Sequence, residues 1–220
     1  MKILFGFFTI LLTAAFFIAG IVYVIARTFS QIAWNPESRA FKRLLENLRN
    51  RLRAQSAELV PWDQEMLGLL SLNRVNEKKP GFWNPVASGQ LTTIYHEPVA
   101  AYITQTAGNI RLTLARTTDR EFIFRQKGKE TEIWLNNQPF GLFVDGALLA
   151  PGKGSKLLAR LENKPEETQS PLLLGNAAAG TLSNPERASS PNPRALTLLR
   201  DLSAEEENVA LALALLRATR

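Results

Sequence analysis

"LSAEEENVALALALLRATR", Leu202–Arg220, is the stretch that decides the architecture. Ser203 followed by Glu206 is a capping box, and the acidic run Glu205 to Glu207 favours the positive end of a helix dipole. The stretch therefore begins a helix, although Val209–Leu216 alternates alanine and leucine as a strand would. Arg217 and Arg220 suit its C-terminal end. Val209–Leu216 has no polar residue on any face, and a helix apolar all round is either buried on all sides or lies in lipid. Its length is about 12 Å, too short to cross a bilayer core of about 30 Å. The segment is expected to be surrounded by protein, its alanines allowing close approach.

The preceding residues supply candidates to surround it. From Leu67 onward the chain reads as short strands separated by Gly, Asn and Pro. Val99–Gln105 and Ile110–Arg116 flank "TAGN", Glu121–Gln126 and Glu130–Asn136 flank "KGK", and Phe140–Asp145 precedes "GALLAP". Further short runs lie at Gln90–Tyr95, Lys156–Leu161, Leu172–Leu174 and Gly180–Leu182. The pattern predicts a mainly β chain, an antiparallel barrel of roughly ten to twelve short strands curled around the C-terminal helix. Ser183–Pro193 and Asn163–Pro171 read as loops. At a shift of 39 residues, Ile133–Phe143 falls on Leu172–Leu182, aligning Asn137 with Asn176 and Gly141 with Gly180. Duplication and the common grammar of strand, turn, Gly, strand both account for this.

The units "YITQTAGNIRL" (Tyr102–Leu112), "LNNQPFGLF" (Leu135–Phe143) and "LLLGNAAAGTL" (Leu172–Leu182), followed by the terminal apolar helix, occur in an order that resembles the tubby C-terminal-like fold. Tubby proteins, phospholipid scramblases and LURP-one-related plant proteins share that fold. The resemblance covers about residues 67–220 and implies a closed antiparallel barrel enclosing a hydrophobic C-terminal helix. This chain departs from it in three ways. Its apolar anchor is N-terminal, it has no acidic loop like the calcium-binding segment of scramblases, and it lacks the concentrated basic patch that tubby proteins use for phosphoinositides. The resemblance bears on the fold more than on an activity.

Ile3–Ala26 is 24 residues without a charge, bracketed by Lys2 and Arg27. It rises about 36 Å, enough to span a bilayer, and residues 1–27 read as an uncleaved transmembrane anchor. The apolar region of a signal peptide is shorter, about 7–15 residues, and no A-x-A cleavage pattern is present. More basic residues follow the run than precede it, which favours a cytoplasmic C-terminal domain on a single-pass membrane protein.

Residues 28–60 read as a basic amphipathic juxtamembrane helix, with Asn35 as its N-cap, Pro36 at its first position and Pro61 ending it. Phe41, Leu44, Leu45, Leu48, Leu52 and Leu59 fall in one arc of about 100°, and Arg39, Lys42, Arg43, Arg49 and Arg53 flank it in an arc shared with Glu46. The stripe admits two readings. It is an interfacial face whose arginines meet anionic lipid, or a packing face with a solvated basic flank. Phe41, Leu45, Leu48 and Leu52, with Arg39, Lys42, Arg43, Arg49 and Arg53, are the candidate lipid- or partner-binding site.

The net charge is +6, but residues 27–59 carry seven basic and three acidic side chains, while residues 60–220 carry 18 and 17. The domain from residue 61 to 220 is thus near neutral, which argues against nucleic acid as a partner. The absence of cysteine excludes disulfides, thiolate metal sites and cysteine nucleophiles. His96, the sole histidine, reads as a strand-end surface residue. "GALLAPGKGSK" fails the P-loop register, because Pro151 stands where the second Gly is needed. Trp34 suits a membrane-interface belt, while Trp62, Phe82 and Trp83 suit either that belt or core packing. No constellation for catalysis or a cofactor emerges. The expected function is a non-enzymatic, membrane-anchored module that binds anionic lipid headgroups or a membrane-protein partner. The alternative is a single-span accessory subunit of a larger membrane complex.

Overall fold

The computed structural model describes residues 16, 20, 35–81, 86–152, 154, 156–162, 166–188 and 190–219. Most of the apolar run, and Trp34, Phe82 and Trp83, lie outside them. No described helix is long and apolar enough to cross a membrane. The chain forms two compact units, Met1–Asn47 and Leu48–Arg220.

Helix α1 (Arg39–Ser56) crosses that boundary. Its cap is Ser38 rather than Asn35: the Phe41 N–H donates to Ser38 Oγ at 3.0 Å. Asn35 instead closes the turn before the helix, its Oδ1 accepting from the Glu37 N–H and its carbonyl from the Ser38 N–H. Either residue type satisfies an orphan amide, and the chain uses the one nearer the leucine stripe.

In the second unit a short helix, α2 (Gln64–Leu69), is capped by Asp63, whose Oδ1 accepts from the Met66 N–H at 3.1 Å. It runs straight into β1 (Leu70–Lys78). There follow β2 (Val86–Thr93), β3 (Pro98–Ala107), β4 (Ile110–Arg116), β5 (Glu121–Lys127) and β6 (Glu130–Leu135). Next come β7 (Gln138–Val144), β8 (Ala147–Leu149), β9 (Leu157–Leu161), β10 (Gln169–Leu174), β11 (Ala177–Ser183) and β12 (Leu196–Leu198). Among the described residues these twelve strands make one sheet in chain order. Every neighbouring pair is antiparallel. The two edges then meet. Ser71 bridges Arg194, the Leu72 N–H donates to the Pro193 carbonyl at 2.9 Å, and the Ala195 N–H donates to the Leu70 carbonyl at 2.7 Å. The sheet is a nearly closed barrel, which leaves little strand edge unpaired.

The 39-residue shift relates two hairpins of like register. Ile133 opposes Gly141 and Leu172 opposes Gly180, with a register shift just after each. Both glycines admit close approach of the next strand. A Cβ on Gly141 would stand 2.7 Å from the Leu149 carbonyl oxygen, and one on Gly180 would meet that of Thr197.

The C-terminal helix, α3 (Ala204–Ala218), carries the capping box: Ser203 Oγ accepts from the Glu206 N–H and Glu206 Oε2 from the Ser203 N–H. Val209–Leu216 is buried on every face. It shares one apolar core with residues from all twelve strands, among them Leu70, Leu91, Phe122, Ile133, Leu172 and Leu196. Both ends are tied to the barrel wall. Near the N-terminus, Glu207 accepts from Arg120 Nη1 at 2.6 Å and from Trp62 Nε1 at 3.0 Å. At the C-terminus, Arg111 Nη2 donates to the Thr219 carbonyl at 2.8 Å. Glu207 to Thr219 rises about 18 Å along a helix and Arg111 to Thr117 about 20 Å along a strand, so α3 matches the length of β4.

This packing predicts that Leu211→Ala, at a site with no exposed surface, costs about 2–5 kcal/mol in chemical denaturation. A loss below about 0.5 kcal/mol, the scale of surface changes, would contradict the placement of α3.

Candidate functional site

The residues singled out in α1 divide into two groups. Arg39, Lys42, Arg43 and Arg53 are exposed. Arg49 is partly buried and committed: its Nε donates to Glu121 Oε1 at 2.9 Å and its Nη2 to Asn137 Oδ1. Phe41, Leu45, Leu48 and Leu52 are all buried. Of the two readings of the stripe, the packing face describes Leu48 and Leu52. Gln55 Nε2 donates to Ser88 Oγ at 3.2 Å, and Gln90 Nε2 donates to the Gln55 carbonyl at 2.9 Å, which fixes this end of α1 against β2. Leu48 and Leu52 therefore have no surface left to offer a bilayer.

Trp62 belongs with the core: its ring packs against the main apolar cluster and its indole N–H reaches Glu207. His96 lies in the exposed turn between β2 and β3, at φ 67°. Among the described residues no His, Cys, Asp or Glu cluster is arranged to hold a metal.

Sequence reasoning missed the end of the barrel where α3 terminates. A cavity of about 840 Å³ opens there. Leu213, Leu216 and Arg217 of α3 form one side, and Phe143 of β7 and Leu161 of β9 another. Arg74, Gln126, Lys129, Asp145 and Glu186 complete the rim. Behind Arg74, Glu77 pairs with its guanidinium at 3.4 Å and accepts from the Tyr102 hydroxyl at 3.3 Å. Burial pushes the Tyr102 phenol up to about 12. Burial, and then the charge of Arg74, lower the pKa of Arg111. For the inward position of Arg111 the one available signal was parity. In "IRLTLAR" the alternation puts Arg111 on the same face as Thr113 and Ala115, and Ala115 is a core residue.

At the other end of α3, Arg200 donates from Nη1 to Glu206 Oε2 at 3.0 Å and from Nη2 to Oε1 at 2.5 Å. Arg200, with the Ser203 N–H second, brings the Glu206 carboxyl down from 4.5 to about 2. A carboxyl whose folded pKa is depressed contributes stability that is complete above its ordinary value and is lost as pH falls through the folded one.

No protein-family model, curated protein or solved structure matches the chain.

Denaturant melts across pH check the cap. The stability difference between the native chain and Glu206→Gln is expected near pH 6 and should fade between about pH 4.5 and pH 2. A difference that stays constant down to pH 2 would place the carboxylate outside the cap.

Proposed function

We propose that the chain is a non-enzymatic interaction module, tethered to a membrane by Ile3–Ala26, whose α1 presents basic side chains to anionic lipid headgroups. The observation that carries this reading is the division of labour along α1. Phe41, Leu45, Leu48 and Leu52 are buried, while Arg39, Lys42, Arg43 and Arg53 remain exposed, shortly after an uncharged run of 24 residues. The contact with lipid is then electrostatic rather than inserted. Near an anionic leaflet each such side chain contributes about 1 kcal/mol, and the effect weakens beyond a Debye length of about 8 Å in physiological salt. The basic excess after Arg27 favours a cytoplasmic barrel, the side on which anionic lipid is found.

The fold in this proposal is of the tubby C-terminal-like type. Twelve antiparallel strands in chain order and a C-terminal apolar helix sharing a core with all of them support that assignment. The alternative, a single-span accessory subunit, keeps the same fold but assigns the exposed arginines to a protein surface.

Vesicle flotation of the chain from Asn35 separates the two. Binding to phosphatidylserine-containing vesicles, absent with phosphatidylcholine alone and falling as salt rises, is the expected result. Changing Arg39, Lys42, Arg43 and Arg53 together to Gln should abolish it, with Arg49 left in place because it holds Glu121. Indifference to vesicle charge would overturn the lipid reading, and a heteromeric particle on detergent extraction would favour the accessory subunit.

A further inference from the structure

The barrel wall carries apolar residues on its outside as well as its inside. On β3, β4 and β5 the outward residues Ile103, Leu112, Leu114 and Ile123 are at most 3% exposed. From β7 to β10 the outward residues Leu142, Val144, Leu149, Leu157 and Leu173 are only half-buried, and none of them belongs to the core. The core takes their inward neighbours instead, among them Phe143, Leu148 and Leu172. This second stretch of wall is an apolar sheet face that nothing in the barrel covers.

Strand register arranges the face in two rows. In the first, Glu132 is paired with Leu142, Leu142 with Leu149, and Leu149 with Leu157. In the second, Val144 is paired with Ala147, Ala147 with Arg160, and Arg160 with Leu173. Thr131 opposes Phe143, so continuing that register by one residue sets Glu130 beside Val144. The second row therefore reads Glu130, Val144, Ala147, Arg160, Leu173 from β6 to β10. Glu130 and Arg160 are exposed, and among the described residues neither makes an ion pair. Lys127 stands opposite Glu130 across the hairpin without bridging it. The line between β7 and β8 divides the row evenly. Glu130 is on the second strand to one side and Arg160 on the second strand to the other, each about 7 Å from that line at the usual strand spacing.

We propose that the outer face of β6–β10 is an isologous interface for a second copy of this chain, with its two-fold axis along the line between β7 and β8. That rotation keeps each row level and exchanges its two ends. Leu142 then meets Leu149 of the second copy, Val144 meets Ala147, and Glu130 meets Arg160, each contact occurring twice. Opposite charges at equal distances from one line are what a second copy needs, because each copy supplies one member of both pairs. The wall is convex, so contact is closest along β7 and β8. The long side chains of Glu130 and Arg160 span the widening gap at the flanks. So narrow a contact falls below the roughly 800 Å² per partner of standard stable complexes, and the dimer is a weak one. The face is separate from the exposed side of α1, and the inference is independent of whether α1 contacts lipid headgroups.

The test follows association of the full chain in mild detergent by analytical ultracentrifugation, from micromolar to submillimolar concentration. A reversible dimer is expected, and Leu142→Glu should abolish it. Glu130→Arg and Arg160→Glu should each weaken it about tenfold, since two attractions at the flanks become two repulsions. Both changes in one chain restore the pairs with their signs exchanged, and should recover the native affinity to within about threefold. The chain has no cysteine, so introduced thiols report neighbours. A mixture of Glu130→Cys and Arg160→Cys chains should cross-link through a short bismaleimide, whereas either variant alone should not, its two thiols lying at opposite flanks. A chain that stays monomeric would overturn the proposal, and labelling of Leu142 or Leu149 in that monomer by a photoactivatable lipid would assign the face to the bilayer. A dimer indifferent to Leu142→Glu would overturn it by placing association elsewhere, as in Ile3–Ala26. Failure of the double exchange to recover the affinity lost in the single variants would overturn it as well.

Discussion

The structure depends on one constraint: an apolar helix with no polar face must be covered on every side. Val209–Leu216 has no orientation in which it can meet water. A single sheet face would cover only one side of it. Twelve strands whose edges meet at Ser71 and Arg194 cover the rest. The covering requires close approach, and small residues provide it. Ala100, Ala115, Ala159 and Ala179 face the same core as the alanines of α3. The two polar ends are then secured individually, Glu207 by Arg120 and Trp62, and the Thr219 carbonyl by Arg111. A buried ion pair contributes little net stability against an apolar replacement, but losing one partner is costly. These ties therefore set where the helix sits along the barrel more than how stable the barrel is.

Filling the barrel with small residues has a consequence outside it. Along β3 and β4 the larger apolar side chains, Ile103, Leu112 and Leu114, occupy the opposite face, yet they are buried too. The end of α1 fixed to β2 through Gln55 and to Glu121 through Arg49 lies across this outer face, with Leu48 and Leu52 fully buried. The leucine stripe thus answers a packing need created by the interior. Arg39, Lys42, Arg43 and Arg53 on the same helix remain exposed.

How much of this was legible in the sequence follows from the length and regularity of each signal. The capping box at Ser203 and the uniform apolarity after it identified the helix and its burial, because both are local. The strands from Val99 to Val144 were legible because each is bounded by a tight turn, as at Asn136–Asn137 with both residues at positive φ. β1 and α2 were missed. A helix of six residues shows barely two turns of periodicity, and β1 is broken by register shifts that interrupt alternation. β12 was missed at three residues long, beside a loop rich in Ser and Pro. The cavity was not legible at all. Its residues come from β1, β5, β7, β9, three loops and α3, brought together only by closure of the sheet. The inward position of Arg111 was hidden by its neighbours, since Ile110, Leu112 and Leu114 look like the core face and belong to the outer one.

The account rests on α3 being what the strands close around, and truncation tests this most directly. The full chain and one ending at Asp201 should be compared by thermal melting under identical conditions. The account predicts that the truncated chain loses its cooperative transition and binds a hydrophobic dye, as a barrel without its filling must. A truncated chain that melts cooperatively at the same temperature as the full one would show that the strands form the barrel without the helix, and would contradict the account.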